Sequence, residues 1–286
     1  MAETPRLLTS LDDIAAPYAV ILCDVWGVLH NGIAPYPAAV AALQRMRGRG
    51  KAVVLITNSP RRSDIVVGQL DRLGVARDCW DRLVTSGDVT RRLIADGARR
   101  VLHIGPDEDI SIYDGLDVEL VEEFEADCAV CTGLYDDGAE QPEDYAELLL
   151  RLRSRNLPFI CANPDIVVEH GDRLIWCAGA LARDYGQLGG RTLIAGKPFA
   201  PIYEAAFEAA AEMLGRPVAR SEALAIGDGA LTDLKGAAAR GIDMVFITSG
   251  IHAAEYGSAH APDAERLARF LESHGPAPAA VMARLA

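Results

Sequence analysis

Residues 19–32 read AVILCDVWGVLHNG. A short apolar run, Ala19-Val20-Ile21-Leu22-Cys23, ends at a lone acid, Asp24, and two residues later stands Trp26. An apolar run of this length fits a strand buried on both faces, as the strands of a parallel sheet are. In an open parallel sheet ligands bind beyond the carboxyl ends of the strands. Asp24 therefore falls where a site would be built.

Working outward, the pattern alternates. A helix carrying Val40, Leu43 and Met46 follows, then a strand over Ala52–Ile56, then a helix with Val66, Leu70 and Leu73. This βαβα order implies a parallel sheet covered by helices. The rhythm returns near the end: a helix from Pro201 with Ile202, Ala206, Ala209 and Met213 on one face, a strand over Ala223–Ile226, a helix after Thr232, and a strand over Met244–Ile247. The middle has its own elements. Strands are expected at Arg100–Ile104, Cys128–Thr132 and Pro158–Ala162, a helix at Tyr145, Leu148, Leu149 and Leu152, and a hairpin over Val167–Ile175 around His-Gly-Asp. The expected fold is α/β: a Rossmann-like parallel-sheet core formed by residues 1–79 and 191–286, with an α/β cap, residues 80–190, inserted into it. An Ala/Pro-rich tract, residues 275–280, is the one low-complexity stretch.

A chain of 286 residues can bury one large or two ordinary cores. Its formal charge of −13 is spread without a basic cluster, which argues against a nucleic-acid partner. No run approaches the ~18 to 20 apolar residues that cross a bilayer. The start, Met1-Ala2-Glu3-Thr4-Pro5, does not resemble a signal peptide, so the expected location is cytoplasmic and no membrane partner is expected. Six cysteines, mostly within apolar runs, read as buried thiols. Only Cys128 and Cys131 have metal-like spacing, and without a second such pair or a nearby histidine they read as a strand interior.

Four strand ends carry polar residues directly after apolar runs: Asp24; Thr57-Asn58-Ser59; the Ala195-Gly196-Lys197-Pro198 turn; and Gly227-Asp228-Gly229 with Thr232-Asp233. In this order they resemble the motifs of the haloacid dehalogenase superfamily, and the position of the cap is similar to that of its class IIA, NagD-like phosphatases. The resemblance implies an Mg²⁺-dependent hydrolase of a phosphorylated small metabolite. Asp24 would be the nucleophile that forms an aspartyl phosphate. Mg²⁺ would be held by Asp24, Asp228 and the backbone carbonyl of Trp26, offsetting the repulsion between carboxylate and phosphate. The Thr57 hydroxyl and the Asn58 N–H, beside Ser59, would bind the phosphoryl oxygens. Lys197 would neutralise the phosphoryl group and Asp24. Asp233 would support the metal or Lys197, or cap the helix after Thr232. Homo-oligomerisation is left open.

Trp26 departs from the family pattern, which reads Asp-x-Asp-Gly where this chain has Asp24-Val25-Trp26-Gly27. The second acid of the pattern protonates the leaving oxygen and then activates water; an indole N–H does neither near pH 7. Three readings follow. The substrate has a good leaving group, another residue supplies the proton, or the chain is a catalytically impaired phospho-ligand binding or regulatory protein. His30 is the nearest titratable candidate, with a turn role beside Asn31-Gly32 as its alternative. Asn163 and Asp165, of Asn163-Pro164-Asp165, face the substrate or form a turn; Arg61 and Arg62 attract an anion or form a solvated turn. A nicotinamide-dependent oxidoreductase is disfavoured, because no Gly-x-Gly-x-x-Gly follows the first strand.

Overall fold

The computed structural model describes residues 6–170, 173–258 and 261–286. The start at Met1–Pro5 and the Gly171-Asp172 tip of the expected hairpin lie outside the described residues. The chain forms two compact units, one from the residues up to Thr57 with Val67–Val84 and Tyr203–Ala286, the other from Asn58–Val66 and Thr85–Ile202.

In the first unit a seven-stranded sheet runs in the order Leu7–Leu8, Ala280–Met282, Asp243–Ile247, Ala223–Gly227, Val20–Asp24, Ala52–Thr57, Arg82–Thr85. Pairings from Leu7–Leu8 to Ala52–Thr57 are all parallel. Val20–Asp24, Ala52–Thr57 and Ala223–Gly227 are buried at every position, which is why they read as unbroken apolar runs and not as alternation. The Pro37–Gly48 helix begins on Pro37, whose fixed φ suits a first helical position, and buries Ala39, Ala42, Leu43 and Met46 at i, i+3, i+4 and i+7. Val40 sits on the flank of that stripe.

A five-stranded parallel sheet organises the second unit, in the order Thr192–Ile194, Phe159–Cys161, Cys128–Cys131, Arg100–Ile104, Glu119–Leu120. Its two faces bury separate clusters. Leu149, Leu152, Phe159 and Tyr185 pack on one side, with Ile94, Ile112, Val130 and Ile160 on the other. Successive strand residues alternate between faces, so Cys128 joins the second cluster and Cys131 the first. Two thiols on opposite faces of a sheet cannot share a metal ion, and burial raises both their pKa values. Val167–His170 and Arg173–Trp176 pair antiparallel as a hairpin requires.

The Ala/Pro-rich tract leads straight into the Ala280–Met282 strand, inside the first unit's sheet. The element after Asp228 starts earlier than expected, as a π-helical turn over Ala230–Leu234 that continues into the Lys235–Ala238 helix. Among the described residues no helix is long and apolar enough to cross a membrane.

Candidate active site

Strand order decides which loops meet. In the first unit Cys23 lies opposite Ile226, Asp24 opposite Ile56, and Gly227 opposite Phe246. The loops after these four strands thus leave the sheet side by side at its carboxyl edge. The chain enters the Val20–Asp24 strand near one end of the sequence and the neighbouring Ala223–Gly227 strand near the other, a crossing point of the kind where open α/β sheets bind ligands.

Asp24, Asp228 and Asp233 converge there. All three are buried, and each offers a carboxylate oxygen within 4.8 Å of the others. At that spacing two ionised carboxylates repel by roughly 3 kcal/mol at an effective dielectric of about 20. A hard divalent cation bound by oxygen would offset this. The surrounding backbone is glycine for steric reasons. A Cβ on Gly27 would lie 2.2 Å from Asp228 Oδ2, and one on Gly227 would lie 2.2 Å from Asp233 Cγ. Gly27 also has φ +81°, a left-handed conformation that L side chains rarely adopt. The Gly229 N–H donates to Asp233 Oδ2 at 3.2 Å, tying that carboxylate to the turn. Thr57, the last residue of its strand, is buried beside them in the sheet edge.

The loop after Asp24 closes on itself. The N–H groups of Leu29 and His30 donate to the Val25 carbonyl, and the Gly27 N–H donates to the His30 carbonyl. Trp26 is half-buried, its ring meeting that of His30 at 5.0 Å in an edge arrangement. His30 Nδ1 accepts the Gly32 N–H at 2.9 Å, and burial pushes its pKa down to about 4. It is therefore neutral at pH 7, and one ring nitrogen is committed to the turn. Between pH 6.5 and about 4 the unfolded chain binds a proton that the folded chain refuses. The contribution of His30 to stability is thus complete above pH 6.5 and lost as the pH falls through that window, by up to about 1.4 kcal/mol per pH unit. His30→Gln is expected to lose less stability than the parent between pH 7 and pH 5, measured by urea unfolding in EDTA. Equal losses would mean that His30 is not held neutral.

In the second unit Asn58 acts as a bracket. Its Nδ2 donates to Asp165 Oδ1 at 2.9 Å and to the Lys197 carbonyl at 3.3 Å, while its Oδ1 accepts the Lys197 N–H at 2.7 Å. Asn163 Oδ1 accepts the Asp165 N–H at 3.1 Å, so these two residues form a turn joined to the Lys197 backbone. Lys197 is buried. Ser59 Oγ accepts the Arg61 N–H at 3.3 Å. Both arginines are ion-paired: Arg61 with the buried Asp109 at 2.8 Å and with Glu108, and Arg62, in the turn before the helix, with the exposed Asp114 at 2.9 Å and Asp64 at 2.8 Å.

Models of two families match the chain: haloacid dehalogenase-like hydrolase over residues 21–119 and HAD-hydrolase-like over residues 194–272. A crystal structure of a haloacid dehalogenase-like hydrolase from Brucella suis 1330 is 58% identical, covers 98% of this chain and 100% of its own, and superposes with a TM-score of 0.89. The chain belongs to the haloacid dehalogenase-like hydrolase family. As a member of that family it is a hydrolase with an α/β Rossmann-type core and a cap domain. D-glycerol 3-phosphate phosphatase of Mycobacterium tuberculosis is 28% identical over 253 residues, which is 85% of this chain and 67% of that protein. NagD from Escherichia coli K-12 is 20% identical, with 93% of this chain and 96% of NagD covered at a TM-score of 0.64, a likeness of fold.

Sequence reasoning placed Asp24, Asp228 and Asp233 at strand ends, and the structure brings them together. It missed the Asn58–Asp165 bracket, because the partners lie 107 residues apart. It also missed the segment after the Asp243–Ile247 strand, whose Thr248-Ser249-Gly250 was the signal: small residues at a carboxyl strand end, where a backbone can approach a ligand group.

Proposed function

We propose that this hydrolase is an Mg²⁺-dependent phosphatase of a small phosphorylated metabolite, acting through a phosphoaspartate on Asp24. The observation that carries this reading is the buried group of Asp24, Asp228 and Asp233 at the crossing point of the sheet. Asp24, Asp228 and the Trp26 carbonyl would hold Mg²⁺, which when bound supplies positive charge against the incoming phosphate. An Asp24 carboxylate oxygen attacks phosphorus, and the bond to the leaving oxygen breaks with its electron pair. Thr57 and the Asn58 N–H stabilise the transferring oxygens, and Lys197 balances their charge. Water then attacks the phosphoaspartate, releasing phosphate and restoring Asp24.

The leaving oxygen needs a proton unless it is a stable anion. Trp26 offers none, and His30 is neutral and turn-bound. Good leaving groups, in acyl or aryl phosphates, are accordingly favoured over alkyl esters. The same observation supports a second reading, a phospho-ligand binding protein with little turnover. A screen of phosphate release with and without Mg²⁺ separates the two. It should include acyl and aryl phosphates beside glycerol 3-phosphate, the alkyl ester named by the curated relative. Release from no substrate, with phosphorylated ligands still bound, would favour the second reading.

Asp228→Asn is expected to weaken Mg²⁺ binding by at least ~10-fold, since one charged oxygen ligand is lost from a hard cation. Isothermal titration with MgCl₂ measures this directly. Unchanged affinity would put the metal elsewhere.

A further inference from the structure

We propose that the segment Thr248–His252 positions the Asp228 carboxylate for the metal, and that His252 is a positioning residue in this role. The inference rests on the reading of Asp228 as an Mg²⁺ ligand and extends it to residues outside the four motif positions. Gly227 and Phe246 are opposite one another on adjacent strands, so the loops that follow run together. The segment is anchored first by backbone: the Thr248 N–H donates to the Met282 carbonyl at 2.9 Å and the Ser249 N–H to the Ala283 carbonyl at 3.0 Å. Gly250 then lies flat against Asp228. A Cβ built on it would stand 1.9 Å from Oδ2 and 2.3 Å from the aspartate Cβ, so no larger residue fits without moving the ligand. The Ile251 N–H donates to the same Oδ2 at 3.2 Å.

His252 ties the segment to the element that follows Asp228. Its Nε2 accepts the Ala230 N–H at 3.2 Å. Ala230 opens the π-helical turn that carries Asp233, and N–H groups at the start of a helix have no partner within it. Accepting at Nε2 assigns the ring proton to Nδ1. The ring is fixed by packing. It meets Phe270 at 5.1 Å and His274 at 6.2 Å, and Phe270 meets Tyr256 at 5.2 Å. The Tyr256 hydroxyl donates to the Thr248 carbonyl at 3.0 Å, returning the chain of contacts to the segment's start. Burial, then the neighbouring His274, lower the pKa of His252, which keeps the Nε2 lone pair available. A carboxylate held this way cannot swing away from Asp24 and Asp233 to relieve their mutual repulsion, so the site is set for a cation beforehand.

The test compares Gly250→Ala, His252→Phe and His252→Gln with the parent and Asp228→Asn. Mg²⁺ affinity is read by isothermal titration, and folding by thermal melts in EDTA. His252→Phe removes the acceptor and is expected to weaken Mg²⁺ binding by up to about 10-fold, the low end of what losing a direct partner of a metal ligand costs, because His252 acts through Ala230 and the Gly250-Ile251 backbone. His252→Gln, which can place an oxygen near the Nε2 position, should recover most of it. Gly250→Ala should weaken binding further, and if it does not fold the His252 pair decides. If folded His252→Phe binds Mg²⁺ like the parent while Asp228→Asn does not, the positioning role is overturned and the proposed function stands. If neither the parent nor any variant binds Mg²⁺, or Asp228→Asn is without effect, both fall.

Discussion

Asp24→Asn protein is expected to fold, to bind phosphorylated ligands and to release no phosphate, with a fall of more than ~10⁴-fold, as for other nucleophile knockouts. The amide is nearly isosteric with the carboxylate but is not a nucleophile, so the covalent step is lost while the shape of the site is kept. The structure adds a second expectation. Asp24 shares its buried site with Asp228 and Asp233 and is one of the carboxylates proposed to hold Mg²⁺. Stabilisation by added Mg²⁺, read as a rise in melting temperature, should therefore be smaller for Asp24→Asn than for the parent. Release of phosphate near the parent rate would exclude Asp24 from the covalent role. Equal stabilisation of the two proteins by Mg²⁺ would show that Asp24 is not among the metal's ligands.

Trp26→Asp should act in the opposite direction and selectively. An acid at this position can protonate a departing alkoxide, which an aryl oxide scarcely needs. Turnover of alkyl phosphates is expected to rise by up to ~10² relative to aryl phosphates, within the range a positioned general acid supplies. Trp26 is half-buried and lies in the loop after Asp24, outside the sheet core, so the cost of removing its ring should fall below the ~3 to 5 kcal/mol of a fully buried tryptophan. The new carboxylate also enters a neighbourhood with three others, so the variant should be less stable in EDTA and regain stability with Mg²⁺. Paired rate measurements on an alkyl and an aryl phosphate, on protein shown to be folded, decide the matter. An equal gain on both, or none, would mean that the missing proton is not what limits this site.

How far the sequence could be read depended on the distance over which its signals act. Val20–Asp24, Ala52–Thr57 and Ala223–Gly227 were legible because burial on both faces leaves an unbroken apolar run. Asp24 and Asp228 were legible because each stands at the end of such a run, and Asp233 because it follows Asp228 by one turn. Leu7–Leu8 and Ala280–Met282 were not: strands of two and three residues are too short to show a period, and the second emerges from an Ala/Pro-rich tract that resembles a linker. Nor could Asp165 be assigned a partner, since Asn-Pro-Asp reads as a turn whether or not Asn58 reaches it. His30 was visible as a titratable group. Its neutrality was not, because that depends on burial and on the Gly32 N–H. His252 gave no signal at all, being a histidine in a loop whose role arises from an aromatic cluster assembled from the Ala264–His274 helix.

The neighbouring strands that carry Asp24 and Gly227-Asp228 lie about 200 residues apart in the chain, with the whole second unit made between them. On a ribosome adding roughly 5 to 20 residues per second, Asp24 is synthesised some ~10 to 40 s before Asp228 exists. The five-stranded sheet, contiguous from Arg100 to Ile194, is complete first, while Val20–Asp24 still lacks one of its two flanking strands. The nascent chain is thus without its proposed cation-binding centre for most of its elongation, and its central strand must be kept from pairing wrongly during that interval. On the proposed Mg²⁺ reading, magnesium can act as a folding ligand only after translation has passed Asp228, so any effect of Mg²⁺ on refolding yield should vanish in a nascent chain arrested before that point.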